Sequence, residues 1–479
     1  MSRKHPQLTD GHLRHAAIVT QDHIDLHYGR ASAVTKSVTR ERQTIDPVHA
    51  RITTPAPMDL FISYRKLPPS PLNWLKAARA AMVWRAHSGL SSITIFARLF
   101  GWLFRFPSDV VRFMYISSGV WIRQFHRSRL QQFGDLIFAA SVNGLMPRDY
   151  YRCDIARFER KGSFFDVIPY QLYATPLQVL SRCRGTSHLK MVRNKSAFYE
   201  HCKATGLPVP NSFYTLTENQ DASGTLRLPP SDDFIIKPAI GSQGKGIAIW
   251  RHCPAARSWE SSGRSRDAKA LVSELSALAA ATPGGLILQE VLINNAAIEP
   301  FAPFALSTFR TVTIMNENGD PEVVVSQFRT ATKQGSAVDN FHAGGCLFHV
   351  DLANGVFGKG EQGDYSARPV SWERHPANGS RVSGAPVPQL AEICALAKRA
   401  HSTLPELLCV GWDIANTSRG LVIVEANVPP GLQPSQQVQM RGFATTRFMQ
   451  LLSHHCKKWI EENEGPSSRF RVSAGRPKA

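Results

Sequence analysis

The sequence predicts an α+β protein whose N-terminal region is mainly helical, and three observations support this fold class. An aromatic-rich pattern with helical periodicity, such as L-F-G-W-L-F-R-F, runs from Asn73 to Phe133. Near Lys195 the pattern changes to alternating strands and helices. Further along, two segments combine β-branched runs with turn signals, as antiparallel hairpins do. With 479 residues the chain can bury more than one core, so two or three domains are expected.

The helical region is rich in arginine as well as in aromatic residues. Two interpretations stay open for it. One is peripheral contact with an anionic membrane surface. The other is a helical subdomain that packs on the rest of the chain, with its arginines in solvent. The arginines concerned are Arg79, Arg85, Arg98, Arg105, Arg112, Arg123, Arg127 and Arg129.

The composition restricts the classes of partner and the location. The formal net charge of +19 suits nucleotides, nucleic acid, membrane surfaces or acidic saccharides. The basic residues are dispersed and do not interleave with aromatic residues into a recognised module, so specific nucleic-acid binding is not expected. The sequence has no signal-peptide pattern, no run of about 18 uncharged apolar residues and no C-x-x-C pair among its eight cysteines. We therefore expect a reduced, cytoplasmic chain.

Helix and strand signals alternate in a defined order after Lys195. The segment K-S-A-F-Y-E-H-C-K-A-T-G predicts a helix that ends at Gly206. The elements expected next are strands at Asn211–Leu216, Phe234–Lys237 and Ile247–Trp250, a helix at Asp267–Ala281 and a strand at Leu286–Glu290.

The stretch D-F-I-I-K-P-A-I-G-S-Q-G-K-G-I-A-I-W joins two of these strands through a glycine loop. A Walker loop needs G-x-x-x-x-G-K and then Ser or Thr, but Ala239 takes the place of its first glycine and Gly246 follows Lys245. The dinucleotide pattern G-x-G-x-x-G is absent as well. The spacing instead predicts a glycine flap between antiparallel strands, with Lys237 as a fixed charge for phosphate. A tight hairpin with a solvated Lys245 is the alternative.

The first of the two later hairpins carries one arginine on each strand. It reads L-S-T-F-R-T-V-T-I-M-N-E-N-G-D-P-E-V-V-V-S-Q-F-R-T. A turn centred on Gly319 and Asp320 places Arg310 directly opposite Arg329. Two arginines that face each other on a buried face repel unless an anion lies between them. The pattern therefore predicts an anion site, and the alternative is an edge hairpin whose arginines reach solvent.

The second hairpin, V-G-W-D-I-A-N-T-S-R-G-L-V-I-V-E-A-N, carries two carboxylates. Asp413 and Glu425 are expected to pair across its turn, and Asn427 to share the face of Glu425 with Leu421 and Ile423. Opposed carboxylates on an apolar face are costly unless a cation separates them. Two carboxylates and an amide carbonyl suit a hard cation, which beside a phosphate loop indicates Mg²⁺. A carboxylate pair that shares a proton is the alternative.

Taken together, these residues resemble the motifs of the ATP-grasp enzymes. The matching series is Lys195, Lys237-Pro238 with its glycine flap, Gln289-Glu290, Arg310, Arg329, and Asp413 followed by Glu425-x-Asn427. The segments L-S-T-F-R, Q-F-R-T and N-F-H-A-G-G are similar to those of glutamate-adding ligases. V-E-A-N-V-P-P-G-L is similar to the ending found in D-alanine–D-alanine ligases. The closest resemblance, over roughly residues 130 to 450, is to the sugar-transfer-associated, or glutamate-ligase-related, ATP-grasp group.

This resemblance implies an ATP-grasp fold, in which two α+β subdomains enclose ATP, and a role for each matching residue. The implied ATP ligands are Lys195 and Lys237 for the phosphates, Gly241, Ser242, Gly244, Lys245 and Gly246 in the covering flap, Gln289, Glu290 and Leu292 for adenine, and Glu299 for ribose. The implied metal ligands, for one or two Mg²⁺ ions with Mn²⁺ as a substitute, are Asp413, Glu425 and Asn427. The implied catalytic residues are Arg310 and Arg329, beside the γ-phosphate and the acyl phosphate, and Asn340 on the acceptor side.

The implied reaction is the ATP-dependent ligation of a carboxylate to an amine through an acyl phosphate, on small-molecule or saccharide-linked acid and amine substrates. A phosphotransferase and a non-ligase ATP-binding adaptor linked to polysaccharide assembly are the alternatives. The expected segments are a flexible basic lead-in at 1–60, the helical region at 61–185, a small ATP-grasp subdomain at 186–285, a C-terminal subdomain with the metal site at 286–458 and a basic tail at 459–479.

Overall fold

The N-terminal region is helical, as expected for the fold class. The computed structural model describes residues 63–87, 92–143, 145–152, 166–217, 232–241, 246–333, 345–362, 371–439 and 441–472. After a short 3₁₀ helix at Tyr64–Lys66, the helices of this region are α1 (Pro71–His87), α2 (Ser92–Phe125), α3 (Arg129–Asn143), α4 (Pro147–Arg152) and α5 (Tyr170–Arg184). None of the helices within the described ranges combines the length and the apolar content that a membrane span requires.

Two separate packing units form within these helices. Helix α1 contacts α5 and the C-terminal helix α11 (Arg447–Asn463). Its small side chains allow this close contact, because four alanines are fully buried, namely Ala77, Ala78, Ala80 and Ala81. Helices α2, α3 and α4 instead share their own hydrophobic cluster around Phe106 and Tyr150. The apolar residues of α2 are thus divided between that cluster and the molecular surface.

The small sheet contains six antiparallel strands in the order β1-β6-β2-β3-β4-β5. They are β1 (Ser212–Leu216), β2 (Phe234–Pro238), β3 (Ala248–Cys253), β4 (Ser258–Ser261), β5 (Arg264–Asp267) and β6 (Leu286–Glu290). The helices of this part are α6 (Ser187–Arg193), α7 (Lys195–Ala204) and α8 (Ala268–Ala281). Asp267 caps α8 by accepting a hydrogen bond from the amide of Ala270 at 2.8 Å. Strands β1, β2, β3 and β6 and helix α8 lie where the sequence predicts them.

The large sheet contains seven strands in the order β11-β10-β9-β8-β7-β12-β13, with antiparallel neighbours throughout. They are β7 (Thr308–Met315), β8 (Pro321–Thr330), β9 (Cys346–Asp351), β10 (Val356–Gln362), β11 (Ser371–Trp372), β12 (Cys409–Thr417) and β13 (Gly420–Asn427). Helices α9 (Leu390–Ser402), α10 (Gln433–Val438) and α11 complete this part of the chain.

The two faces of the large sheet are covered differently. One face packs with α9 in an aromatic-rich core whose fully buried members include Phe309, Phe328, Phe348 and Trp412. On the opposite face, α1, α5 and α11 form a second core with Val312 and Val325. Because side chains alternate along a strand, Arg310 lies on this second face. This face of the sheet therefore carries apolar core residues at one end and the charged Arg310 further along.

The register of β7 and β8 differs from the predicted one. Their loop, residues 316–320, is centred earlier than the predicted turn, and β8 contains a bulge. Arg310 therefore pairs with Gln327, and Arg329 pairs with Thr308. The prediction that the two arginines lie directly opposite each other is wrong, because they are diagonal neighbours on one face.

The register of β12 and β13 agrees with the prediction at Asp413 and Glu425. It differs from the prediction on the side of this pair that is nearer to the turn. Asp413 pairs with Glu425, as predicted, but a one-residue bulge follows and Ile423 pairs with Ile414. Adjacent residues of β12 point to opposite faces, so Ile423 lies on the face opposite Glu425, and Leu421 lies with it. The prediction that Leu421 and Ile423 share the face of Glu425 is therefore wrong.

Candidate functional site

The Asp413 carboxylate lies at the centre of a charged cluster on the large sheet. Arg310 donates from Nε to Oδ1 at 2.5 Å and from Nη2 to Oδ2 at 3.0 Å. Arg329 donates from Nη1 to Oδ2 at 3.2 Å, and Asn427 Nδ2 lies 3.4 Å from the same oxygen. Burial alone would raise the pKa of Asp413, but Arg310 and Arg329 outweigh it and hold this pKa below its ordinary value. Asp413 is therefore an ionised carboxylate.

In the structure, the counterion of both arginines is the Asp413 carboxylate. The Arg310 and Arg329 side chains are only 16% and 13% exposed, so the alternative of solvated arginines on an edge hairpin does not hold. The close packing around Arg310 requires a glycine on the neighbouring strand. A Cβ atom at Gly411 would lie 3.3 Å from Arg310 Cδ and 2.9 Å from Pro430 Cβ.

Glu425 connects this cluster to the small sheet through a lysine. Its Oε1 lies 3.3 Å from Lys195 Nζ. The same ammonium group donates to the carbonyl oxygen of Gly241 at 2.7 Å, and Gly241 begins the glycine loop. The backbone amide of Lys195 also donates to the carbonyl of Ala239 at 3.0 Å. Lys195 therefore connects Glu425, one of the predicted metal ligands, to the start of the predicted phosphate flap.

Lys237 lies at the end of β2, buried and in contact with Tyr199. Its Nζ donates to the Tyr199 hydroxyl at 2.7 Å, and that hydroxyl donates to the Val424 carbonyl at 2.7 Å. Burial lowers the pKa of Lys237 to about 7; the charge of Glu425 opposes this shift, and that of Lys195 adds to it. A lysine with this pKa changes its charge near neutrality, and an arriving anion would favour its protonated form.

The bulged residue of β13 is Val424, which has no partner on β12. The extra residue of a bulge is left out of the ladder hydrogen bonding. Its carbonyl is thereby available to the Tyr199 hydroxyl from helix α7. The bulge thus connects Lys237, through Tyr199, to the residue that directly precedes Glu425.

The predicted adenine and ribose residues lie at and beyond the end of β6. Gln289 is fully buried and donates to Ser212 Oγ at 3.0 Å. The Glu290 carboxylate accepts hydrogen bonds from the Asn211 amide at 2.7 Å and from Arg419 Nη2 at 2.6 Å. Leu292 is half-buried in the segment that follows, and Glu299 is exposed in the short 3₁₀ helix Glu299–Phe301.

The predicted flap and acceptor residues are only partly described. Gly241 and Gly246 mark the two ends of the flap, and Gly246 has a φ of +75°. A Cβ atom there would lie 2.9 Å from Pro238 Cγ, so both conformation and space favour glycine. Ser242, Gly244, Lys245 and Asn340 lie outside the described residues.

Three residues of the site region were not among the predictions, namely Tyr199, Gln327 and His349. Gln327 lies between Arg310 and His349 in the sheet and is 2% exposed. Its Nε2 atom has no hydrogen-bond partner in the part of the chain that the structure describes, and neither has His349 Nδ1. Gln327 could have been found from strand alternation, since it precedes Arg329 by two residues. Tyr199 and His349 carry no such signal, because only the tertiary structure brings them here.

The oxygen donors of the cluster fit a hard divalent cation. Within the described ranges, no group of three His, Cys, Asp or Glu residues is placed to hold a metal. The candidate set is instead Asp413, Glu425 and the Asn427 amide, which supplies the oxygen ligands that Mg²⁺ prefers. An ionised carboxylate has about four lone-pair sites, so the arginines do not exhaust those of Asp413. The residues present thus suit a Mg²⁺ ion that takes its remaining ligands from water or phosphate.

The part of the chain that carries this site matches a family of known proteins. A model of the family described as sugar-transfer associated ATP-grasp matches residues 178–449, more than half of the chain. No curated protein matches the chain.

Similar solved structures include an ADP complex of N5-carboxyaminoimidazole ribonucleotide synthetase, with 16% identity, 59% of this chain and 58% of that chain covered and a TM-score of 0.31. D-alanine–D-alanine ligase from Bacillus anthracis has 11% identity, 60% and 77% coverage and a TM-score of 0.34. L-amino acid ligase from Bacillus licheniformis has 12% identity, 56% and 51% coverage and a TM-score of 0.33. The chain spans less than two thirds of the first and the third of these proteins.

Proposed function

The chain belongs to the sugar-transfer associated ATP-grasp family, and from this membership we propose that it is an ATP-dependent ligase that joins a carboxylate to an amine. The observation that carries the proposal is the meeting of opposite charges around Lys195 and Asp413. Asp413 binds two arginines, and Glu425, its partner across the two strands, pairs with a lysine that also binds the start of the glycine loop. Phosphoryl transfer depends on such positioning and neutralisation of charge.

In the proposed reaction, a carboxylate oxygen of the acid substrate attacks the γ-phosphorus of ATP. The bond from that phosphorus to the β,γ-bridging oxygen breaks, so ADP leaves and an acyl phosphate forms. The amine nitrogen then attacks the acyl carbon, the carbon–oxygen bond to phosphate breaks, and the ammonium product loses a proton. Little covalent chemistry is left to the protein, whose contribution is to hold the reactants in line and to neutralise charge.

The proposed roles follow the positions of the side chains. Arg310 and Arg329 hold the γ-phosphate and then the acyl phosphate, while Asp413 keeps both guanidinium groups in place. Lys195 and Lys237 hold the other phosphate oxygens. Asp413, Glu425 and Asn427 would hold a Mg²⁺ ion, which would supply further neutralisation of phosphate charge.

The remaining predicted residues would form the nucleotide and acceptor pockets. Gln289, Glu290 and Leu292 are proposed to border adenine, and Glu299 to contact ribose. The Glu290 side chain is held by Arg419 and Asn211, so its part in this pocket is to fix the end of β6. Asn340 is proposed to act on the acceptor side.

Direct measurement of the products tests this function. ADP and phosphate release should require both an acid and an amine when small-molecule and saccharide-linked candidates are tested in combination. A stable phosphorylated product formed without an amine would instead identify a phosphotransferase. Binding of ATP without turnover across the whole panel would favour a nucleotide-binding adaptor. The family description connects these proteins with sugar transfer, so saccharide-linked acids and amines belong in the panel.

Removal of Arg310 tests the phosphate site. We expect Arg310→Ala to lower ATP turnover about 100- to 1000-fold, because a preorganised donor beside developing charge is lost. Glu425→Ala should remove turnover as well, while both variants stay folded. The measurement is ADP release at saturating ATP, with circular dichroism to check folding. Arg374→Ala, an exposed arginine of the same part of the chain, is the matched control and should retain the wild-type rate. Wild-type turnover by Arg310→Ala would refute the assignment.

The pKa of Lys237 predicts a pH dependence of stability without nucleotide. The folded pKa of about 7 lies below the ordinary value of 10.5. Between these two values the unfolded chain binds more protons than the folded one, so the free energy of unfolding should rise with pH over this range. Urea unfolding at about pH 7 and about pH 9 measures the rise. Lys237→Met should reduce it, and an equal rise in this variant would contradict the prediction.

A further inference from the structure

Helix α2 has an apolar surface on the side that faces away from its own core. Phe106 and Val110 are buried within the α2–α3–α4 cluster. A second set of large apolar residues is exposed, with Tyr115 at 90%, Val111 at 70% and Phe104 at 66%. We call this set the exposed stripe, and its members are Phe100, Phe104, Val111, Tyr115 and Ile122.

The spacing of the exposed stripe places its residues on one face of the helix. They follow one another at intervals of four or seven residues, which return to the same side at 3.6 residues per turn. A helix at the surface of a globular protein normally has one apolar face, turned to the core. Single exposed apolar residues are ordinary, but several large exposed apolar residues on one helix face mark a contact with another molecule or with a membrane.

Helix α3 also has exposed apolar residues on one side, although fewer than α2. Leu130, Phe133 and Ile137 are 80%, 45% and 42% exposed and lie three and four residues apart. On its other side, Leu136 and Ala139 are buried in the shared cluster. Two consecutive helices that pack against each other therefore both expose an apolar face.

The charge of this region favours an anionic partner. Residues 92–143 contain six arginines against two aspartates, a difference of +4. Arg105 and Arg112 are exposed, and each directly follows a residue of the exposed stripe in the sequence. Arginines beside the apolar face of a helix are typical of helices that lie in the interface of a membrane with anionic lipids.

We propose that α2, together with α3, binds the surface of an anionic lipid bilayer. The exposed stripe enters the boundary between headgroups and acyl chains, and Arg105 and Arg112 contact lipid phosphates. The apolar residues lie along one side of α2, so the contact lies in the plane of the membrane. This inference is independent of the proposed ligase function, because it rests on residues outside the site around Asp413.

Co-sedimentation of the full-length protein with vesicles tests this inference. We expect binding to vesicles of phosphatidylcholine that contain phosphatidylglycerol, weaker binding to phosphatidylcholine alone, and a decrease as salt is added. The double variants Arg105→Glu with Arg112→Glu and Val111→Asp with Tyr115→Asp should each lower the partition coefficient by about tenfold or more.

Matched variants control for charge and for exposed apolar area elsewhere. Lys398→Glu with Arg399→Glu, on exposed positions of α9, makes the same change in net charge and should leave binding within about twofold of wild type. Leu278→Asp with Phe304→Asp is the control for the exposed stripe. ADP release without vesicles should be unchanged in all four variants, so a failure of lipid binding and a failure of the ligase assignment are separate results.

Three outcomes would overturn the lipid assignment. Equal sedimentation of the wild type and either test variant would show that the exposed stripe or its arginines do not bind the vesicles. Full competition by inorganic phosphate at constant ionic strength would show a simple anion site. Light scattering that finds a wild-type dimer, a monomeric stripe variant and no vesicle binding would show an interface between two copies of the chain.

Discussion

Replacement of Asp413 by alanine is expected to abolish ATP turnover and to lower the free energy of unfolding by about 3–5 kcal/mol. The buried carboxylate accepts hydrogen bonds from Arg310 and Arg329, so its removal leaves two guanidinium groups close together without their counterion. The same change removes a proposed metal ligand. ADP release and urea unfolding measure the two effects separately.

Unfolding at low pH provides a second test of the interaction between Asp413 and the two arginines. The pKa of Asp413 is lowered in the folded chain, so its contribution to stability is present above the ordinary value of 3.8 and is lost as the pH falls through the lowered value. Asp320→Ala removes an exposed carboxylate from the loop of the same sheet and should change neither activity nor stability appreciably. Retention of turnover in Asp413→Ala would exclude Asp413 from both proposed roles.

Replacement of Phe328 by alanine is expected to lower the free energy of unfolding by about 3–5 kcal/mol. Phe328 is fully buried, and its ring centroid lies 5.0 Å from that of Phe309 and 5.3 Å from that of Phe357. Truncation leaves a cavity directly beneath the strand segment that carries Gln327 and Arg329. Urea unfolding measures the loss of stability.

Two other substitutions serve as controls for the loss of stability in Phe328→Ala. Phe328→Leu keeps most of the buried volume and should cost clearly less than Phe328→Ala. Phe304→Ala removes a ring that is 38% exposed and should change stability by about 0.5 kcal/mol or less. A similar small loss in Phe328→Ala would mean that the core beneath the site repacks.

The pairing of Asp413 with Glu425 was predicted correctly, although a bulge lies between this pair and the turn of the hairpin. The strands close at Thr417 and Gly420, and Thr417 Oγ1 donates to the Gly420 carbonyl at 2.6 Å. Gly420 has a φ of +104°, which favours glycine. The two-residue turn alone would pair Asp413 with Val424, and the bulge at Val424 shifts the partner of Asp413 to Glu425. Asp413 and Glu425 are each six residues from Arg419, so their spacing in the sequence gives the correct pair because the bulge compensates for the position of the turn.

In the arginine hairpin, the pairing of the strands could not be predicted from the position of the turn. The Asn316 side chain accepts hydrogen bonds from the amides of Asn318 and Asp320 at 3.0 and 2.9 Å. These bonds stabilise a longer loop than the N-G signal predicts. This loop alone would place Arg310 opposite Ser326, and the bulge at Val324 moves its partner to Gln327.

Several strands escaped prediction because their sequences are short and polar. Strands β4 and β5 read S-W-E-S and R-S-R-D, with no alternation of apolar residues. They are held by pairing with each other and with β3 rather than by an apolar face of their own. The ATP-grasp fold was nevertheless predicted correctly, since the model of this family matches residues 178–449.

The bulge at Val424 also has a consequence for solubility. Strand β13 is an edge of the large sheet, and an open edge offers unpaired amides and carbonyls to strands of other molecules. Here the Ile423 amide donates to the Pro208 carbonyl at 2.8 Å, and the Val424 carbonyl accepts from Tyr199. The bonds that orient the site therefore also cap this edge, so the residues around Glu425 can stay partly open to substrate without becoming a template for aggregation.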